Sequence, residues 1–347
     1  MAFSPDGKSL AVAFADGHAS LIANPLHGDA GARPLSTPEP ITALAWSDEG
    51  TLFASLSTGG LVRWDRGSEA APAMSAIRLT APASRIVASR DGNVVYAVSN
   101  AGTLTVFDWR TSSKEEHRVG ANDTLTAFSV HHGGHVAATG NGAGLVSLWQ
   151  LPGGEKLGEV SMEEAVTALD FNPRGRSVLS DELLVAGDRH GNLHVFDVAT
   201  QVAGKRGDMP AIQLPTVAGG IAGITFTGNG KCIAVVGTSG ELMLKEVNSW
   251  NTLTAVQGDD ADGALALAVG SEHFYATAGT GGDVRVLESA LCADKNDLCA
   301  LAASLPLRAL APEERRRFVA GQRESDTEEP LPPRCVALVN NVLGGQR

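Results

Sequence analysis

The sequence has few aromatic residues, no surplus of positive charge and no long apolar run. Phe, Tyr and Trp make up 5% of the 347 residues, whereas 40 residues are glycine, which suits many tight turns between short strands. The formal net charge of −12 argues against a surface for nucleic acid or anionic membrane. No apolar stretch approaches the ~18 residues that a membrane-spanning helix requires.

Cysteine is also scarce, and the four in the chain are Cys232, Cys292, Cys299 and Cys335. Four cysteines in a chain of this length do not make a disulfide scaffold. The N-terminus lacks the basic stretch followed by an apolar stretch that marks a secretory signal. We therefore expect a soluble, cytoplasmic protein whose cysteines are buried free thiols, with Cys232 in the core.

What the sequence does contain is a repeat of seven similar segments. Each has an apolar stretch, a turn with glycine, a strand, a second glycine turn and a strand that ends in an aromatic or acidic residue. The clearest is ITALAWSDEGTLFASLSTGGLVRWD at 41–65. The second-turn glycine fixes the register, at Gly17, Gly59, Gly102, Gly144, Gly191, Gly240 and Gly282. The successive spacings are 42, 43, 42, 47, 49 and 42 residues.

Four short strands in a period of about 40–45 residues are typical of a β-propeller blade. Because one such sheet cannot bury both faces alone, blades pack face to face and close into a ring. Two stacked β-sandwiches would not require so constant a period. We predict an all-β, seven-bladed propeller over 1–289, with blade 1 truncated at its N-terminus, and a short helical, Pro-rich tail over 290–347.

The ends of several third strands resemble those of WD40 repeats: LVRWD at 61–65, LTVFD at 104–108, LVSLWQ at 145–150 and LHVFD at 193–197. FSPDG at 3–7 and FNPRG at 171–175 resemble the first hairpin turn of that family. No repeat has the Gly-His dipeptide before its first strand, and only Asp16 keeps the acid before the second glycine. The family's buried His–Asp–Trp network is therefore expected to be mostly missing. The sixth repeat departs furthest, with Lys245 at the aromatic position.

The tail, with LAPEERRRFV at 310–319 and PPRC at 332–335, resembles the short helical tail of many bacterial WD40 proteins. In those proteins the propeller is the sensor end of a chain that carries a NACHT-type NTPase or a TIR, caspase-like or kinase effector. No Walker A sequence, kinase signature or catalytic Cys-His module is present in these residues. The resemblance therefore implies a covalently linked effector domain upstream of this chain.

The start of the sequence falls inside the repeat. Aligned on its first turn, Met1 stands where Leu44 stands in the second repeat, so the inner strand of blade 1 lacks its first residues. WD40-type rings normally close by an N-terminal strand added to the last blade. We expect either that 334–342 supplies this edge strand or that a seam stays open between blades 7 and 1.

The turns between second and third strands gather at one end of the predicted ring, where loops are free to bind a partner. Their polar members are the candidate binding residues: Asp16, Asn100, Asn141, Arg189 and His190. Ordinary solvated turns are the competing interpretation at each position, because Asn and Asp are common turn formers. We predict a non-catalytic platform for a protein or peptide, the sensor or scaffold part of a larger bacterial signalling or defence protein. No cofactor, metal, nucleic acid or membrane partner is expected.

The competing functional class is a propeller hydrolase or lactonase with a metal ion in the central channel. The inner-strand segments carry Asp170 as their only acid and His131 at one end, which is too few ligands. The cluster HHGGH at 131–135 could suggest zinc, but it lies in a predicted first turn, and adjacent side chains on extended backbone point apart. We interpret it as an exposed polar turn. Titratable groups lining the channel would favour the enzyme.

Overall fold

The structure, a computed structural model, describes residues 1–14, 16–25, 31–65, 73–74, 78–120, 124–173, 183–198, 212–257, 263–270, 274–279 and 281–292. The chain divides into two compact units, Met1–Ser289 and Ala290–Arg347. A short 3-10 helix spans Ala290–Cys292, and the rest of the predicted helical tail lies outside the described residues. Within the described ranges no helix has the length and apolar character needed to cross a membrane.

Seven antiparallel sheets make up the described part of Met1–Ser289, each forming one blade of a propeller. Blade 1 consists of β1 (Ala2–Phe3), β2 (Ser9–Ala13), β3 (Ala19–Ala23) and β4 (Ala32–Pro34). Blade 2 consists of β5 (Ile41–Trp46), β6 (Leu52–Leu56), β7 (Leu61–Trp64) and β8 (Ala73–Met74). Blade 3 consists of β9 (Arg85–Ala88), β10 (Val94–Val98), β11 (Thr103–Asp108) and β12 (Ser113–Arg118). Blade 4 consists of β13 (Leu125–Val130), β14 (Val136–Asn141), β15 (Leu145–Gln150) and β16 (Lys156–Ser161).

The remaining blades repeat this order. Blade 5 consists of β17 (Val166–Phe171), β18 (Leu183–Asp188), β19 (Asn192–Asp197) and β20 (Ile212–Pro215). Blade 6 consists of β21 (Ile221–Phe226), β22 (Cys232–Gly237), β23 (Leu242–Glu246) and β24 (Thr252–Val256). Blade 7 has three strands among the described residues, β25 (Ala264–Gly270), β26 (Phe274–Gly279) and β27 (Val284–Glu288). The predicted all-β, seven-bladed propeller is confirmed.

The glycines that set the sequence register share one backbone conformation. All seven second-turn glycines have φ between 81° and 89°, a region that residues with a side chain rarely adopt. At Gly144 a Cβ would also lie 2.5 Å from the carbonyl oxygen of Met162. The regular spacing of glycine therefore follows from the turn that joins the second and third strands of every blade.

Apolar clusters hold adjacent blades together. The aromatic residue of a third strand packs against the preceding blade, as Phe107 does with Phe53 and Trp149 does with Tyr96. Because side chains alternate along a strand, each sheet presents one set of residues to each neighbouring blade. This alternation explains why the inner strands read as nearly continuous apolar stretches in the sequence.

Two buried polar pairs join the second and third strands of single blades among the described residues. In blade 4, Trp149 Nε1 donates to Thr139 Oγ1 at 2.8 Å. In blade 5, His194 Nε2 lies 2.9 Å from Asp188 Oδ2, and both side chains are buried. The described residues of the other blades contain no matching His–Asp or Trp–Thr hydrogen bond between these two strands.

The ring closes by packing between blades 7 and 1. Phe3 of β1 shares an apolar cluster with Ala268 and Ala276 of blade 7. Gly270 makes room for its ring, since a Cβ there would lie 2.5 Å from Phe3 Cγ. The expected open seam is wrong, because these small residues let the short first strand pack against the last blade. The segment 334–342, the other expected closure, lies outside the described residues.

The cysteines differ from the expectation. Cys232 lies in β22 with 2% of its surface exposed, which confirms its core position. Cys232 and Cys292 are both disulfide-bonded, so the expectation of free thiols is wrong for these two residues. The spacing of cysteines in a sequence does not reveal which sulfur atoms the fold brings together.

Candidate functional site

The second turns and the beginnings of the inner strands lie at the same end of the ring. Ser57 N in the second turn of blade 2 donates to Pro40 O, just before β5, at 2.9 Å. Thr238 N in blade 6 donates to Gly220 O, just before β21, at 2.8 Å. We call this end, which carries the seven second-turn glycines, the front face. The opposite end, which carries the first hairpin turns, is the back face.

Two of the predicted binding residues are exposed on separate blades of the front face. The Asp16 carboxylate accepts a hydrogen bond from His18 N at 2.9 Å and lies 3.1 Å from His18 Nδ1. These interactions, led by the backbone hydrogen bond, lower the pKa of Asp16. Asn100 is exposed in the turn of blade 3, and its carbonyl accepts from Leu125 N at 3.2 Å. The ring does not bring Asp16 and Asn100 together.

The Asn141 side chain is buried and hydrogen-bonded to the backbone of its own turn. It is 7% exposed, and its Oδ1 accepts from Ala143 N at 3.0 Å and Leu145 N at 2.9 Å. Asp188 makes the same kind of turn in blade 5, where its Oδ1 accepts from Asn192 N at 2.9 Å. Burial raises the pKa of Asp188, but hydrogen bonds from His194 and Asn192 outweigh it and lower the pKa. At Asn141 the structure favours the turn interpretation.

Arg189 and His190 are the predicted residues that the structure does bring together. Arg189 Nε lies 2.7 Å from Glu164 Oε2, and His190 Nδ1 lies 3.3 Å from the same oxygen. Both side chains are exposed on the front face. With Glu164 they form a polar cluster, in which the Glu164 carboxylate faces both the Arg189 guanidinium and the His190 imidazole.

The inner strands surround a channel cavity of about 350 Å³. Hydroxyl groups near the front end of these strands bridge blades: Thr42 Oγ1 donates to Ala83 O at 2.7 Å, and Thr126 Oγ1 donates to Val166 O. The matching residues in blades 6 and 7 are Ala222 and Leu265, which line the same channel. One side of the channel mouth is therefore polar and the other apolar.

Leu265 is the most exposed large apolar side chain among the described residues, with 65% of its surface accessible. Arg85 also lines the channel near its front end, and its Nη2 donates to Thr126 O at 2.8 Å. Burial lowers the pKa of Arg85, but a guanidinium in a protein keeps its charge. The front mouth of the channel thus offers an exposed apolar side chain and a cation.

Asp170 lies nearer the back end of the channel, as its place in the inner strand predicted. Its carboxylate accepts from Ser129 Oγ in blade 4 at 3.1 Å and from Phe226 N in blade 6 at 2.9 Å. Burial raises the pKa of Asp170 to about 6, although these hydrogen bonds oppose the rise. With Arg85 it supplies the charged side chains of the described channel lining.

The histidine cluster belongs to the first turn of blade 4. The rings of His131 and His135 meet edge to face with centroids 4.6 Å apart, and His131 also contacts Phe171. His131 Nδ1 accepts from Gly133 N at 3.1 Å. Across the described residues no group of three or more His, Cys, Asp or Glu side chains is placed to hold a metal ion. These contacts fit a packed polar turn.

No protein-family model matches the chain, and no curated protein matches it.

Sequence reasoning missed Arg85, Leu265 and the bridging hydroxyl groups. Thr is the second residue of ITALAW, the second of LTAFSV and the second of VTALDF, so aligning the repeats could have shown the hydroxyl positions. A β-bulge follows the first residue of β5, β13, β17, β21 and β25, which changes the alternation at this point. Alternation alone therefore does not reveal which of these side chains face the channel.

Proposed function

We propose that the chain is a non-catalytic platform that binds a protein or peptide at the front mouth of its channel. The observation that carries the proposal is the exposure of Leu265 at a concave mouth that Arg85 also lines. Concave sites that combine apolar side chains with a few polar or charged groups are the usual setting of binding sites. Arg189 and His190 extend the polar part of this surface on the front face.

The chemistry of the mouth selects a segment with an apolar side chain next to an acidic one. The apolar group would cover Leu265, and a carboxylate would pair with the guanidinium of Arg85. A cavity of about 350 Å³ is near the lower end of the range for small-molecule sites, so it admits a side chain more readily than a large substrate.

The resemblance to WD40 sensor regions supports a wider role as the sensor or scaffold part of a larger signalling or defence protein. The disulfide-bonded Cys232 and Cys292 support an oxidising compartment in place of the cytoplasm, because glutathione and thioredoxin keep cytosolic thiols reduced. We therefore propose that the platform works in such a compartment.

The enzyme alternative has less support. A metal-dependent propeller hydrolase needs several acids or histidines around the channel, and the described lining offers the Asp170 carboxylate. That carboxylate already accepts hydrogen bonds from two other blades, which fits a structural role.

The proposal can be tested by selection from a random peptide library displayed on phage, using the oxidised, immobilised protein. We expect enrichment of peptides that pair an apolar residue with an acidic one and bind with micromolar affinity. The front face is probed by Arg85→Ala, with Arg110→Ala as an exposed control on the outside of blade 3. Failure to enrich any peptide, or equal binding to both variants, would contradict the proposal.

A further inference from the structure

We propose that a cleft between blades 1 and 2 is a binding site for a small organic cation, an ammonium or guanidinium group attached to an apolar body. The cleft encloses about 600 Å³, within the range of small-molecule sites. The first turn of blade 1 and Asp48 of blade 2 place it at the back face. Trp46 and Trp64 line it from blade 2, and Ala23 and Arg33 line it from blade 1. We call it the blade 1–2 cleft.

Blade 1 presents a smaller side chain to blade 2 than blade 2 presents to blade 3. Phe53 in blade 2 pairs across the sheet with Arg63, and its ring contacts Trp109 at a centroid distance of 6.0 Å in the next interface. In blade 1 the residue at the matching register position is Ala11, which pairs with Leu21. The interface between blades 1 and 2 therefore lacks the aromatic side chain that helps to fill the next one.

The cleft has an apolar, aromatic wall suited to the body of a ligand. Leu21, Leu35 and Leu52 line it together with the two tryptophans. Trp46 Nε1 donates to Ala2 O at 3.1 Å, which holds that indole in one orientation. Indole rings attract cations through their electron-rich faces, by about 0.5–2 kcal/mol depending on solvent exposure.

The charged side chains that line the cleft favour a positively charged ligand. It contains three carboxylates, Asp6, Asp48 and Asp65, against one guanidinium, Arg33. Asp48 pairs with Arg90 at 2.9 Å and Asp65 with Arg63 at 3.1 Å, and these arginines do not line the cleft. Ion pairs this exposed are weak, so a ligand cation can share their carboxylates. Asp48 and Asp65 both lie on the wall that carries the tryptophans, which places charge and aromatic surface together.

The direct test uses three probes of one shape and different charge: 2-phenylethylammonium, 2-phenylethanol and phenylacetate. Binding to the intact, oxidised chain is followed by the indole N–H resonances of its five tryptophans in a nitrogen-15 NMR spectrum. Each resonance is assigned from a single Trp→Phe variant. We expect the ammonium probe to shift Trp46 and Trp64, leave Trp109, Trp149 and Trp250 unchanged, and bind at least about tenfold more tightly than the alcohol.

Two pairs of variants locate the site. Ala23→Trp should fill the cleft and weaken binding at least about tenfold, whereas Ala32→Trp, exposed on the neighbouring strand and outside the lining, should leave the affinity unchanged. Asp48→Asn with Asp65→Asn should remove most of the preference for the ammonium probe over the alcohol. Both sets of changes lie at exposed positions, so the tryptophan spectrum of the free protein reports whether each variant is folded.

Three outcomes would overturn the inference. Trp46 and Trp64 resonances that do not move at probe concentrations well above about 1 mM would show that the cleft is not a site. Equal affinity for the ammonium probe and the alcohol would show that charge is not selected. Equal losses from Ala23→Trp and Ala32→Trp would place the binding elsewhere.

Discussion

Ser129 Oγ in blade 4 donates a hydrogen bond of 3.1 Å to the carboxylate of Asp170 in blade 5. The other oxygen of Asp170 accepts from Phe226 N in blade 6 at 2.9 Å. One acidic side chain therefore joins three consecutive inner strands at the channel wall. Burial of this carboxylate costs stability when it is charged, because burial disfavours the ionised form and raises the pKa to about 6 even though the hydrogen bonds oppose the rise.

The pH dependence of stability should reveal the Asp170 carboxyl. Its pKa is about 6 in the fold against 3.8 for an ordinary Asp, so the folded protein holds this proton more tightly than the unfolded chain. Stability from this group is therefore present below about pH 4 and lost as pH rises to about 6. Asp170→Asn should gain stability relative to wild type across that window, by about 3 kcal/mol at most, in urea unfolding.

Asp91→Asn provides a control of opposite sign. Hydrogen bonds from Ser89 and Asn93 lower the pKa of Asp91, so its contribution is present at neutral pH and lost as pH falls through the acidic range. Asp91→Asn should lose stability relative to wild type as pH rises. A difference between Asp170→Asn and wild type that does not change with pH would contradict the account of Asp170.

Gly144→Ala should destabilise the protein more than Gly282→Ala. Both glycines have positive φ, 85° and 88°, but a Cβ at Gly144 meets backbone oxygens of Met162 and Glu164 at 2.5 and 2.8 Å, whereas at Gly282 nothing lies within 4 Å. We expect about 1–2 kcal/mol from backbone strain at each position, and at least about 1 kcal/mol more at Gly144. If thermal or urea unfolding shows that Gly144→Ala and Gly282→Ala lower the free energy of unfolding equally, the contact with the Met162 carbonyl oxygen does not contribute to the loss.

Lys245→Met should leave stability unchanged or raise it by about 1–2 kcal/mol. Lys245 occupies the aromatic position of blade 6 with 6% of its surface exposed, and its Nζ donates to Thr252 Oγ1 at 3.0 Å. Burial lowers its pKa, so the lysine costs more stability as pH falls. The gain should therefore be larger at neutral pH than above about pH 10.5, where an ordinary lysine amine has lost its charge. Lys245→Ala, which leaves a cavity, should lose stability, and a loss above 1 kcal/mol in Lys245→Met would be evidence against this prediction.

Alkylation without reductant should leave Cys232 and Cys292 unmodified. Both are in disulfide bonds, so at most two of the four cysteines should react. The protein is denatured without reductant, alkylated with iodoacetamide and mapped by mass spectrometry. Reduction should then lower the free energy of unfolding by about 2–4 kcal/mol. Alkylated Cys232 in protein isolated without reductant would contradict the disulfide and the oxidising compartment with it.

The fold could be predicted because its signals are local. Each second-turn glycine is required by a backbone conformation with φ above 80°, and the conformation recurs once per blade, so the sequence itself shows the period. The candidate turns were also placed correctly at one end of the ring. Asn141 shows the limit of this reasoning, because an exposed turn residue and a buried turn cap have the same local sequence.

The channel mouth and the blade 1–2 cleft depend on contacts between blades that are distant along the chain. Arg85 and Leu265 are 180 residues apart and meet at one cavity only when the ring closes. The walls of the cleft come from two blades, with Leu21 and Arg33 from blade 1 and Trp46 and Trp64 from blade 2, so they meet only once both sheets are packed together. Disulfide bonding of Cys232 and Cys292 likewise depends on tertiary structure.

The most direct test of the central claim compares two leucines in peptide binding. Leu265 is 65% exposed at the channel mouth and Leu253 is 38% exposed on the outermost strand of blade 6. The affinity of a selected peptide is measured by isothermal titration calorimetry for Leu265→Ala, Leu253→Ala and wild type. We predict that Leu265→Ala weakens binding at least about tenfold and that Leu253→Ala leaves it unchanged. Unchanged affinity in Leu265→Ala would contradict the front mouth of the channel as the binding site.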